Sequence, residues 1–168
     1  MKKILTKFIE NDTDNMLVLY PEGTFVTSKN KWLVEKSNKW SKEKNEVILK
    51  NVLFPRTQGF SLVMETREAF DYIIDVTIAF EKPFCGNLGE FDPPLLEQFF
   101  YPRSTDEKED NGVKIHIHYK KYEINEIPKD TDRWLIKLFE EKDKLLQYFN
   151  ENQKFPGDSY IYRDRFVN

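Results

Sequence analysis

Residues 16–24 read Met-Leu-Val-Leu-Tyr-Pro-Glu-Gly-Thr, five apolar residues that run directly into a turn sequence. A short, unbroken apolar run closed by turn residues has the pattern of a β-strand covered on both faces, as in a parallel sheet. Pro21 has no N–H to give to a ladder, and Gly23 accepts backbone conformations that other residues resist, so the strand is expected to stop there. Ligands of open α/β sheets bind beyond the carboxyl ends of the strands. Glu22 and Thr24 therefore become candidate site residues, with an ordinary surface turn after a core strand as the alternative. The arrangement recurs at Val52-Leu53-Phe54, which runs into Pro55-Arg56 and reaches Gly59. Arg56 is the only strong cation at either tip. Its guanidinium suits two-point contact with phosphate, although a structural ion pair or a helix-end contact would use it equally well.

The residues between and beyond the two tips define the rest of the architecture. The spacing from Phe60 to Phe70 predicts a helix, and Tyr72 to Phe80 (YIIDVTIAF) predicts the clearest strand of the chain. Together with the strand at 52–54 this is a βαβ unit, for which parallel pairing and a right-handed crossover are expected. Asp75 inside the strand is out of place. Without a partner its burial costs several kcal/mol (roughly), so it is expected to hold nearby backbone or a cation. Val113 to Tyr119 alternates, with Lys114, His116 and His118 on one side. Two histidines at that spacing can begin a metal site, but no cysteine or third histidine lies nearby to complete one. Apolar residues from Trp134 to Phe149 form one stripe, behind start signals at Pro128, Asp130 and Thr131. Residues 1–9 also have helical spacing. The expected fold is α/β, a mixed and mostly parallel sheet with flanking helices over residues 1–150, followed by a polar and aromatic tail over 151–168.

Composition narrows the partners. At 168 residues the length suits one domain. A net charge of -3 argues against a general polyanion binder, so no nucleic-acid partner is expected. The single cysteine, Cys85, excludes an internal disulfide and suggests a reducing compartment. No apolar run approaches the roughly 18 residues of a spanning helix, and the first ten residues are too short and polar for a signal peptide. Membrane contact is expected to be peripheral, or to lie in a part of the protein outside this sequence. Residues 27–50 hold seven lysines with Trp32 and Trp40 among them. That segment reads either as a solvated helix and loop or as a flank facing phosphates or lipid headgroups. The apolar cluster from Leu95 to Tyr101 reads as core packing or as a contact with a bilayer surface.

Five blocks, in order, resemble one family. Leu19-Tyr20-Pro21-Glu22-Gly23-Thr24 is similar to the Phe-Pro-Glu-Gly-Thr block of the 1-acylglycerol-3-phosphate acyltransferases. Val52 to Phe60 (VLFPRTQGF) resembles the Pro-Arg-Thr-x-Gly-Phe block of their lysocardiolipin and lysophosphatidylinositol acyltransferase branch. Asp75-Val76-Thr77-Ile78-Ala79, Ile115-His116-Ile117-His118 and the helix carrying Glu141-Lys142-Asp143 are similar to later parts of that branch. The resemblance spans nearly the whole chain. It implies transfer of an acyl group from acyl-CoA, as co-substrate and with no other cofactor, to a lysophospholipid hydroxyl. It also implies that Glu22, Gly23 and Thr24 contact the acceptor's glycerol phosphate, and that Pro55 and Arg56 shape the acyl or acceptor site.

Two departures bear on activity. Phe25 follows Thr24, where many members of the family carry an arginine. The family's His-x4-Asp motif, whose histidine is the general base for the acceptor hydroxyl, has no counterpart here. At that spacing His116 is followed by Lys121 and His118 by Glu123. The expectation is therefore a C-terminal part of a lysophospholipid acyltransferase, with the N-terminal half of the domain missing and no catalytic residue of its own. It would work at the endoplasmic reticulum or another intracellular membrane, with this chain alone cytosolic or peripheral. The alternative is a non-catalytic module that binds lipid or associates with a full-length acyltransferase.

Overall fold

A computed structural model describes residues 16–86, 88–90, 92 and 114–157. The helix expected over 1–9 and the cluster from Leu95 to Tyr101 lie outside the described residues. The described elements are helix α1 (Trp32–Glu43), helix α2 (Thr57–Met64), strand β1 (Tyr72–Phe80), strand β2 (Ile115–Glu123) and helix α3 (Thr131–Asn152). The architecture is mixed α/β.

Helix α3 is the spine. The Asp130 carboxylate caps it, accepting the Arg133 N–H at 3.0 Å. The helix ends where Gln153 turns left-handed (φ 55) and donates its N–H to the Phe149 carbonyl at 2.7 Å. Its apolar stripe, Leu135, Leu138, Phe139 and Phe149, is buried. The core forms where that stripe meets Leu49, Val52 and Phe54 on one side and Phe60 and Met64 of α2 on the other. Phe60 stacks on Trp134 at 5.5 Å, and Tyr122 of β2 meets the same indole edge-on.

β1 occupies the residues its sequence pattern predicts, and β2 begins two residues later than expected and runs four residues further. They pair antiparallel, with Ile78 opposite Ile117 and Val76 opposite Tyr119. This is the one ladder among the described residues, so the expected parallel pairing of a βαβ unit is absent there. The reason lies in the segment expected to be its first strand. Residues 52–54 are buried but form no ladder, because their backbone donors are taken by side chains. Leu53 N–H donates to Glu22 Oε2 at 3.0 Å and Phe54 N–H to Ser37 Oγ at 2.8 Å. Just upstream, the Lys50 and Asn51 N–H groups both donate to Asp143 Oδ1, at 2.8 and 2.6 Å. Buried backbone donors must be met by something, and here three different elements meet them. The run at 16–20 departs further from expectation. It is not a strand, and Met16, Val18 and Tyr20 are exposed; only Leu19 packs on the core.

Candidate functional site

The two proline-ended tips lie side by side. The turn from Tyr20 to Gly23 is closed by the Gly23 N–H donating to the Tyr20 carbonyl at 2.9 Å. Gly23 has φ 72, a left-handed conformation that favours glycine. The second tip joins the first through the Arg56 N–H, which donates to the Pro21 carbonyl at 2.8 Å. Pro55 is fully buried behind it. The Arg56 side chain then lies across the turn: a Cβ added to Gly23 would come within 3.0 Å of the guanidinium carbon. Glycine is favoured at position 23 by its backbone angle, and a side chain there would also push the Arg56 guanidinium aside. Arg56 is exposed, and among the described residues no carboxylate comes within ion-pair distance of it. It directly precedes α2, whose first residue, Thr57, is buried. Thr24 is exposed, its hydroxyl turned to the Phe25 carbonyl at 3.4 Å, and Phe25 is exposed beside it.

Glu22 points the other way, into the fold. Burial raises its pKa above the ordinary 4.5; the Leu53 N–H and the charge of Lys142 pull against that shift without cancelling it. A carboxyl whose folded pKa is raised binds its proton more tightly in the native than in the unfolded chain. The fold is then most stable below the unfolded value, and stability is lost as pH rises through the folded value. Glu22→Gln keeps a carbonyl oxygen for Leu53 and removes that loss. Urea unfolding of the variant and the parent is expected to agree below about pH 4. The variant should become the more stable of the two as pH rises, with the gap constant at alkaline pH. A gap that closes at alkaline pH would contradict the assignment.

Behind the tips stand two residues whose roles the sequence did not reveal. Lys142 is buried, and its ammonium donates to Asp75 Oδ1 (2.8 Å), the Val76 carbonyl (2.8 Å) and Thr77 Oγ1 (3.0 Å). Three donors meet three acceptors, so the group is saturated. Asp75 thus holds a cation, as a carboxylate inside a strand should. Asp143, the next residue, fixes the backbone that leads into the second tip. The signal available for Lys142 was its place on the apolar stripe, one turn beyond Leu138 and Phe139 and one turn before Leu145 and Leu146.

The histidines lie elsewhere, on the inner face of β2. His116 Nε2 is 2.9 Å from Glu81 Oε1, with its ring edge-on to Phe149 at 5.0 Å. The His118 ring packs on Phe155 at 5.5 Å. No cluster of three or more His, Cys, Asp or Glu that could hold a metal occurs among the described residues. Cys85 Sγ accepts from Gln153 Nε2 at 3.3 Å.

Residues 109–167 match the family described as acyltransferase C-terminus. The chain is 28% identical to mouse 1-acyl-sn-glycerol-3-phosphate acyltransferase epsilon over 95% of its own length and 44% of that protein. It is 31% identical to Caenorhabditis elegans lysophosphatidylinositol acyltransferase 10, covering 86% of the chain and 36% of the relative. Chicken lysocardiolipin acyltransferase 1 is also 31% identical, over 82% of the chain and 33% of that protein. The chain belongs to the lysophospholipid acyltransferase family. It spans less than half of the length of these acyltransferases. No solved structure matches it. No helix among the described residues is long and apolar enough to cross a membrane.

Proposed function

We propose that this chain forms the acceptor-binding part of an acyltransferase that moves an acyl group from acyl-CoA to a lysophospholipid of the lysophosphatidic acid, lysocardiolipin or lysophosphatidylinositol class. The observation that carries the reading is the exposed Arg56 guanidinium lying across the Gly23 turn. It brings a positive charge to the tip where the residue after Thr24 is Phe25 rather than an arginine. A fork of N–H donors held on a tight turn is suited to a phosphate monoester or diester. Glu22, Gly23, Thr24 and Pro55 then serve Arg56: Glu22 and Pro55 fix the two tips, Gly23 gives the guanidinium room, and the Thr24 hydroxyl stands at the open side. In the full enzyme such a site would place the acceptor at an intracellular membrane, with the endoplasmic reticulum the expected one.

Deprotonating the acceptor hydroxyl needs a base that is free to move a proton. Neither His116, which pairs with Glu81, nor His118, which packs on Phe155, has an aspartate at the spacing of the family's motif. The 168-residue chain alone is therefore expected to transfer no acyl group from acyl-CoA. Turnover that Glu22→Ala abolishes would overturn this.

Binding is tested separately, by titrating the chain with a short-chain lysophosphatidic acid below its micelle concentration. A hydrogen-bonded charge contributes about 1.5–3 kcal/mol, so Arg56→Ala is expected to weaken binding about tenfold or more. Arg56→Lys should fall between. Equal affinity for Arg56→Ala and the parent would remove Arg56 from the site. The second reading, a non-catalytic lipid-binding module, is favoured by the basic flank, where Trp32 is exposed with Lys36 Nζ 5.9 Å from its ring centroid. On that reading the chain binds anionic vesicles whatever their headgroup, and Arg56→Ala changes nothing.

A further inference from the structure

The two tips bring little positive charge to a phosphate. Residues 20–25 and 52–57 contain one cation, Arg56, and one carboxyl group, Glu22. Lys142, whose charge acts on Glu22 from behind, is paired with Asp75 at 2.8 Å and saturated there. Helix α2 begins directly after Arg56 and has no acidic residue in its first turn, so its N-terminus adds about half a positive charge. The tips thus offer about one and a half positive charges at most. A phosphate linked on both sides, a diester, carries one negative charge. A monoester carries about 1.5 to 2 at neutral pH.

Position 25 is where a second cation would enter. Phe25 stands two residues beyond Gly23, with its Cα no more than about 7.6 Å away. Its backbone is fixed by the Asn30 side-chain amide, which donates to the Phe25 carbonyl at 2.9 Å and accepts the Thr27 N–H at 2.6 Å. Asp92 holds the following residue, accepting the Ser28 N–H at 2.6 Å and the Ser28 hydroxyl at 2.8 Å. The Phe25 ring is 75% exposed, and it has no donor for a second anionic oxygen.

We infer that the tips select a phosphodiester over a phosphomonoester, and that Phe25 is the residue that sets this preference. The acceptor would be a lysophospholipid whose phosphate joins the acylated glycerol to a second alcohol. Arg56 and the start of α2 balance the single charge of such a diester. The second charge of a monoester would lose water beside an apolar ring and gain no partner, which is unfavourable. Selectivity of this kind comes from leaving the wrong ligand unpaired. Of the acceptor classes proposed above, lysophosphatidic acid is the monoester, and lysocardiolipin and lysophosphatidylinositol are diesters. The selection presupposes the Arg56 phosphate site of that proposal.

The test compares two ligands that differ by one methyl group, a short-chain lysophosphatidic acid and its methyl phosphodiester. Each is titrated below its micelle concentration into the 168-residue chain. At about pH 8 the monoester is doubly charged, and the parent is expected to bind the diester about threefold more tightly. Near pH 5 each ligand carries about one charge, and the two affinities should agree within about twofold. Glu22 titrates in both experiments alike and cancels from the ratio. Phe25→Arg, a change at an exposed position, should leave the unfolding midpoint unchanged. It should raise monoester affinity about tenfold and diester affinity by less, reversing the order at pH 8. Phe25→Lys should shift the ratio the same way. A parent that binds the monoester as tightly at pH 8, or a ratio that Phe25→Arg does not move, would overturn the inference and leave Arg56 in the site. So would a diester preference that persists undiminished at pH 5, since the methyl group rather than the charge would then cause it. Arg56→Ala with both ligands checks the site itself: if neither affinity falls, the site and the preference fail together.

Discussion

Replacing Lys142 by alanine is expected to lower folding stability by about 3–5 kcal/mol, the range for breaking a buried ion pair from one side. The cost arises in what remains. Asp75 keeps its carboxylate on the inner face of β1 with its cation gone, and the Val76 carbonyl and Thr77 hydroxyl lose the same partner. An exposed pair would change stability by about 1 kcal/mol at most, so urea unfolding at pH 7 separates the two cases. The double variant Lys142→Met with Asp75→Leu should recover most of the loss, because removing both charges leaves no buried ion unpaired. A single-variant cost below about 1 kcal/mol, or a double variant no better than the single, would show that the pair is not the tie described here. The consequence for the site follows from chain connectivity. Lys142 holds α3 to β1, and Asp143 holds the backbone that enters the Pro55–Arg56 tip. Loosening the first is expected to blur the second, so phosphate affinity should fall along with stability.

That tie also marks how far the sequence could be read. β1 and α3 were legible because their residues answer to local rules: β-branched density in one, a capped apolar stripe in the other. The two proline tips were legible as two copies of one pattern; that they meet, Arg56 N–H to the Pro21 carbonyl, depends on tertiary packing. The strand expected at 52–54 failed for a nonlocal reason. Glu22, Ser37 and Asp143, from 17 to 93 positions away in sequence, take the backbone donors that a ladder would have used. No window of local sequence contains that competition. Asp75 was legible as a charge on a strand face that should be apolar; Lys142 was not, although it sits on the apolar stripe of α3.

Phe149→Ala is the second large effect, again about 3–5 kcal/mol, but with the opposite consequence for the site. Phe149 is fully buried, edge-on to His116 at 5.0 Å and 5.0 Å from Phe155. Alanine there removes the wall against which both rings pack, and a close-packed interior relaxes only partly into such a gap. Phe149→Leu, which keeps most of the volume, should cost less than about 1.5 kcal/mol. The losses fall at the far end of α3, on the His116–Glu81 pair and the turn at Gln153. The tips are held by hydrogen bonds from Glu22, Ser37 and Asp143, and Asn150, beside Phe149, adds one side-chain bond to Asn51 at 3.1 Å. Hydrogen exchange should therefore show faster opening of residues 149–157. Phosphate affinity, measured where the variant is still folded, should stay within a factor of two of the parent. If affinity fell as steeply as for Lys142→Ala, the two ends of α3 would be one cooperative unit, and Lys142 would have no special hold on the tips.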